Sequence, residues 1–188
     1  MKKQLSKILI QLHFIALTIA IINSLINYFI HYSLVDEIEF SLKCLAIISG
    51  LVLFFFYLSP FKSINFYFII YPTAAIFLAI GLIFRGMLGA IIISLILFPI
   101  IPDDRIFESE NTGIIISTSK SGFMAPCCAY QVKERKLLIF EKDYGAFESE
   151  GAIIFDSTSV TVTESEIILT YSTEYSEKVV NEKRLQKW

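Results

Sequence analysis

His13, Ala16, Ala20, Asn23 and Asn27 fall in the first apolar run of this chain, at spacings of three and four. At 100° per residue these five positions occupy about 80° of one helix face. A small, polar face inside a membrane can line a path for protons or a small solute, or it can tie helices together through close packing and hydrogen bonds. A pathway needs an acid or base partner at depth. No Asp, Glu or Lys lies deep within any apolar run, so helix tying is the expected role of the stripe. Gln11 and Thr18 fall on the opposite side and are expected to meet a second neighbour.

Elsewhere the chemistry is sparse. Residues 102–188 contain no histidine, since His13 and His31 both precede them. This excludes a Ser-His-Asp or Cys-His system built within that segment. Cys127 and Cys128 are a possible thiol site, for redox chemistry or lipid attachment, but adjacent cysteines do not have metal-ligand spacing. Cys44 sits alone in an apolar run, so no disulfide framework is expected, and the usage suits a reducing compartment. Glu141, Asp143, Glu148 and Glu150 offer hard oxygens without the spacing of a calcium loop, and read as a solvated acidic loop. There is no Gly-rich phosphate loop, no HExxH and no dinucleotide fingerprint. Catalytic residues, metal and cofactor are therefore all expected to be none.

The elements that must position the stripe are apolar. The 188 residues are 55% hydrophobic, with a mean hydropathy of +0.64, beyond an ordinary soluble domain. Four runs stand out, about 8–30, 42–58, 64–84 and 86–101. A crossing helix needs about 20 apolar residues. Residues 64–101 as one helix would be about 57 Å long, against a hydrocarbon core of about 30 Å. Arg85 between two apolar runs therefore marks a tight hairpin, with Gly86 and Gly89 supplying the turn; a re-entrant hairpin is the alternative. Small residues four apart, at Ala46 and Gly50, Ala75 and Ala79, and Gly86, Ala90 and Ser94, should let these helices approach closely. Lys2, Lys3 and Lys7 before the first run, Lys62 and Arg105 favour a cytoplasmic N terminus. Four spans would then return the C terminus to the cytoplasm. The first run lacks a convincing cleavage site and is expected to stay in the membrane.

Charge shifts near Pro102-Asp103-Asp104. Residues 1–101 carry six basic and three acidic residues, residues 102–188 ten and fifteen. An acidic segment argues against nucleic acid as a partner. The segment reads as strands at 113–118, 123–132, 136–141, 151–156, 159–163 and 166–172, short, β-branched or aromatic, and separated by turn residues. The fold class expected is a membrane α-helical bundle of four spans over residues 1–101, the last two a tight hairpin. A small antiparallel all-β domain, a sandwich or open barrel, follows over 102–188. The Glu-, Lys- and Arg-rich tail from Ser176 reads as a short C-terminal helix.

These readings converge on a non-enzymatic multi-pass protein of a cell membrane. Its partners are expected to be the lipid bilayer and a protein bound through a cytosolic β domain, as in an assembly or scaffold subunit or a toxin-immunity protein. A small transporter or channel subunit using the polar stripe, and a membrane enzyme acting on thiols or lipid, are the alternatives.

Overall fold

The computed structural model describes residues 2–58, 63–84, 86–97, 99–109, 111–118, 128–174 and 176–187, with the side chains of 2–3, 155–157 and 176–179 outside that description. Two compact units emerge, Met1–Leu25 with Asp36–Pro102, and Ile26–Val35 with Asp103–Trp188.

The first unit is helical: α1 (Lys2–Ile30), α2 (Asp36–Tyr57), α3 (Asn65–Phe68), α4 (Ile70–Ile83) and α5 (Met87–Leu97). Asp36, Glu37 and Glu39 open α2, where carboxylates meet the positive end of the helix dipole. Its buried residues, Ala46, Ser49, Gly50 and Leu53, recur at helical spacing. Large apolar residues such as Ile15, Ile48, Phe55, Leu82 and Leu95 are exposed. Hydrocarbon satisfies such a surface and water does not.

Prolines set the helix lengths. Pro72 has no N–H to offer the carbonyl of Phe68, and the third apolar run breaks at Ile69 into α3 and α4. Asn65–Ile83 still counts as one of three segments long and apolar enough to cross a membrane, with Gln4–Ile30 and Asp36–Tyr57. Residues before a proline avoid helical geometry, and α5 stops at Leu97, two residues before Pro99. Its 11 residues reach only about 16 Å. Among the described residues the count of long apolar helices is thus three, where the sequence reading expects four.

The α4–α5 pair has a glycine contact at its centre. A Cβ on Gly89 would collide with the carbonyl oxygens of Phe84 and Gly81, and one on Gly81 would meet Ile92 and Ile93. Gly86 has a different role: its φ of +107° is open to glycine and strained for other residues. Arg85, the third residue of the expected turn, lies outside the described residues. Ala75 and Ala79, expected to pack, are exposed instead.

The second unit is antiparallel β: β1 (Tyr32–Leu34), β2 (Asp104–Glu108), β3 (Ile114–Thr118), β4 (Ala129–Lys136), β5 (Phe140–Glu148), β6 (Ile153–Val162), β7 (Glu166–Thr173) and β8 (Ser176–Gln186). They form a five-stranded sheet, β1-β5-β4-β3-β2, and a three-stranded sheet, β6-β7-β8. Alternation along the strands aims Ile114, Ile116, Tyr130, Val132, Tyr144 and Phe147 of one sheet into a core shared with Ile153, Ile167, Leu169, Tyr171 and Leu185 of the other. Residues 123–127, expected as the start of a strand, lie outside the described residues.

Two corrections matter here. The tail is a strand, not a helix: β8 pairs with β7 over Glu166↔Gln186 to Thr173↔Ser176. Its Leu185 lies opposite Ile167 and is buried, whereas Val180 is exposed. And the connection between α1 and α2, outside the residues 102–188 expected to hold the strands, contributes a strand to their sheet. Tyr32, Ser33 and Leu34 pair with Lys142, Glu141 and Phe140. Backbone bonds extend the pairing at both ends, from the Val35 N–H to the Ile139 carbonyl (3.0 Å) and from the Asp143 N–H to the His31 carbonyl (2.8 Å).

Candidate functional site

Three polar ties join α1 to α2. Ser6 meets Tyr57 (2.6 Å), His13 meets Ala46 and Ser49 (3.0 Å each), and the Asn23 amide donates to Glu39 (2.7 Å). Their order, rising along α1 and falling along α2, defines an antiparallel pair. Glu39 also pairs with Lys43 one turn on. The expected stripe is where these ties form: His13, Ala16 and Asn23 are buried, and Ala20 and Asn27 half-buried. Gln11 and Thr18, across the helix, are exposed.

His13 is the centre of the unit. Its side chain is wholly buried, and edge-on rings of Phe14, Tyr67, Phe68 and Tyr71 surround it. The hydrogen bonds fix its tautomer. The Ala46 carbonyl can only accept, so Nδ1 carries the proton and donates to it. The Ser49 hydroxyl donates to the Leu45 carbonyl at 2.6 Å, leaving its oxygen to accept from Nδ1. Nε2 lies within hydrogen-bond reach of the Tyr67 hydroxyl at 3.1 Å and the Tyr71 hydroxyl at 3.2 Å, and the two hydroxyls lie 3.3 Å apart. The imidazole therefore links α1 to α2, α3 and α4 with both ring nitrogens used. Gly50 makes room for this: a Cβ there would lie 2.5 Å from the Tyr71 ring. Asn65, at the start of α3, is wholly buried, and among the described residues neither end of its amide has a hydrogen-bond partner. An apolar groove of about 370 Å³, lined by Ile8, Leu12, Ile15, Leu42 and Leu45, opens on the other side of Ala16.

The sequence singles out His13 and Asn23 but not the residues they meet. Ser49 lies inside the Ala46/Gly50 pair of small residues, which was the available signal. Tyr67 lies among aromatics that composition alone assigns to an interfacial belt.

The β unit holds a second polar group. Glu141, read from the sequence as part of a solvated acidic loop, is wholly buried on β5, with Arg105 at 3.1 Å and Lys133 at 3.7 Å. Asp143 accepts from the Gln131 amide and its own turn at Gly145. Among the described residues no three His, Cys, Asp or Glu side chains converge as metal ligands. Cys128 is buried and disulfide-bonded, contrary to the reduced state expected from the sequence, while Cys44 is free. Cys127 lies outside the described residues.

Glu134 is nearly buried between Lys136 and Tyr144, both at 2.6 Å. Burial alone would raise its carboxyl, but the bonds from Lys136 and Tyr144 outweigh it and hold the group below the ordinary carboxylate range. Burial and the Glu134 carboxylate in turn push the Tyr144 hydroxyl up. A depressed carboxyl stabilises the fold at any pH above its unfolded value, and that contribution is lost as pH falls through the folded value. The melting temperature should therefore fall in acid, and Glu134→Gln should flatten part of that fall; an identical acid limb in the variant would contradict the assignment.

Comparison with protein-family models, with curated proteins and with solved structures finds no match to this chain.

Proposed function

We propose that the chain is a non-enzymatic multi-pass membrane protein that holds a β module at the membrane face opposite its N terminus, where the module binds a protein partner. The observation that carries this reading is the pairing of β1 with β5. β1 lies between two membrane-crossing helices, so the sheet it joins must share its face. A four-span path ending in the cytosolic β domain expected from the sequence would leave β1 and β5 on opposite faces, so the proposal takes three crossings instead. Three crossings, by α1, α2 and the α3–α4 segment, bring the chain to the face of β1. α5 then folds back on α4 as a hairpin turned at Gly86 and seated at Gly89, without crossing.

The lysines at 2, 3, 7 and 62 fall on the N-terminal side of this path and Asp36, Glu37 and Glu39 on the other, which favours a cytoplasmic N terminus. Partner binding draws support from the sheet edge at β2, which can accept an added strand. Scaffold or assembly subunits, and immunity-type proteins that shield a membrane from a toxin, belong to this class.

The buried His13 node favours one second reading, a proton-conducting subunit. Proteoliposomes loaded with a pH-sensitive dye separate the two. On the proposed reading, a pH step relaxes no faster than in vesicles carrying His13→Leu. A relaxation that is fast in the native protein and lost in the variant would support conduction and overturn the proposal.

A further inference from the structure

The turn between β4 and β5 carries Leu137, Leu138 and Ile139, followed by Phe140 at the start of β5. Leu137 and Leu138 are 82% and 92% exposed, the highest values among the exposed large apolar residues. Polar residues are the rule at such tips, and three apolar ones in a row are unfavourable in water. Their location in the chain removes the contradiction. Ile139 accepts a hydrogen bond from Val35, the residue immediately before α2 begins at Asp36. Leu34 lies opposite Phe140 in the sheet. The tip is therefore hydrogen-bonded to the residue that leads into a segment long and apolar enough to cross a bilayer. The last turn of α1, in the same unit, is also exposed and apolar at Tyr28, Phe29 and Ile30.

We infer that the Leu137-Leu138-Ile139 tip inserts into the lipid interface, anchoring the β module to the bilayer. The occupant is lipid, not a peptide, because the tip is tied by backbone bonds to a segment whose ends both enter the membrane. Leu137 has a φ of +51°, a conformation that turns the strand sharply at this point. Lys136 and Lys142 flank the tip, as cations do where a segment meets anionic headgroups. The inference rests on α1 and α2 crossing a bilayer, and not on which face the module occupies or what it binds.

Fluorescence tests it. The chain has one tryptophan, Trp188, so a Trp188→Phe background allows one reporter at a time. Leu138→Trp is nearly free of protein contacts and should leave the fold intact; Val180→Trp, exposed on β8, is the control. The full-length protein is placed in vesicles of phosphatidylcholine and phosphatidylglycerol whose acyl chains are brominated near the headgroup. A reporter at 138 should emit at short wavelength and be quenched roughly twofold or more by interfacial bromine, while the reporter at 180 should be unaffected. Water-like, unquenched emission at 138 would overturn the inference. So would a blue shift at 138 that bromine does not quench and dilution into excess lipid reverses, which is the signature of a second copy docked on the tip.

Discussion

Truncating Glu141 to Ala is expected to cost the protein about 3–5 kcal/mol. The carboxylate is wholly buried on β5, with Arg105 at 3.1 Å and Lys133 at 3.7 Å. Lys133 is itself nearly buried. Removing the buried carboxylate takes a counter-charge from two cations in a poorly hydrated place, although Arg105 keeps Glu108 at 3.9 Å, and that penalty exceeds the modest net worth of the ion pairs themselves. The corollary separates this from a simple packing defect. Adding Arg105→Met and Lys133→Met to Glu141→Ala should recover much of the loss, so that the three changes are strongly non-additive. Denaturant unfolding of the detergent-solubilised protein, followed by near-ultraviolet circular dichroism, measures both. A loss under about 1 kcal/mol for Glu141→Ala would contradict the account, since exposed pairs are worth that little.

His13→Ala carries the second large expectation, a loss of about 2–4 kcal/mol from the helical unit. From α1 the ring reaches α2, α3 and α4 through hydrogen bonds to Ala46, Ser49, Tyr67 and Tyr71. Each bond contributes under about 1 kcal/mol in a membrane. The remainder comes from the cavity left among Phe14, Phe68 and the two tyrosines. Thermal unfolding in detergent reads the loss. A variant as stable as the native protein would remove the helix-tying role and leave conduction as the reason for a buried imidazole.

The polar stripe was legible because helical periodicity survives any environment. Five residues on an arc of about 80° must share a neighbour, whatever that neighbour is. The identity of the partners was not legible, since Ser49, Tyr67 and Tyr71 are brought to His13 by packing between distant segments. The fourth run misled through its length. Counting apolar residues to 101 runs through Pro99, and the proline, not the hydropathy, decides where α5 stops. The tail misled through propensity. Glu, Lys, Arg and Gln favour helix by only tenths of a kcal/mol each, while β7 offers an open edge whose Ile167 takes Leu185 opposite it. Charged residues are also what a solvent-facing edge strand carries to resist aggregation. β1 was least legible of all. Three residues, Tyr32-Ser33-Leu34, are too short to read as a strand, and their pairing with Phe140–Lys142 spans more than a hundred positions. The proposed path of the chain through the membrane nevertheless rests on that pairing.

Cysteine labelling from one side of the membrane tests that path most directly. With Cys44 and Cys127 replaced by Ser and Cys128 by Ala, single cysteines are placed at Gln4, in the first turn of α1, and at Val180, on exposed β8. A membrane-impermeant maleimide applied to intact cells should modify Val180→Cys and reach Gln4→Cys only after the membrane is broken. Modification of both positions from the same side would contradict three crossings and the β1–β5 sheet together.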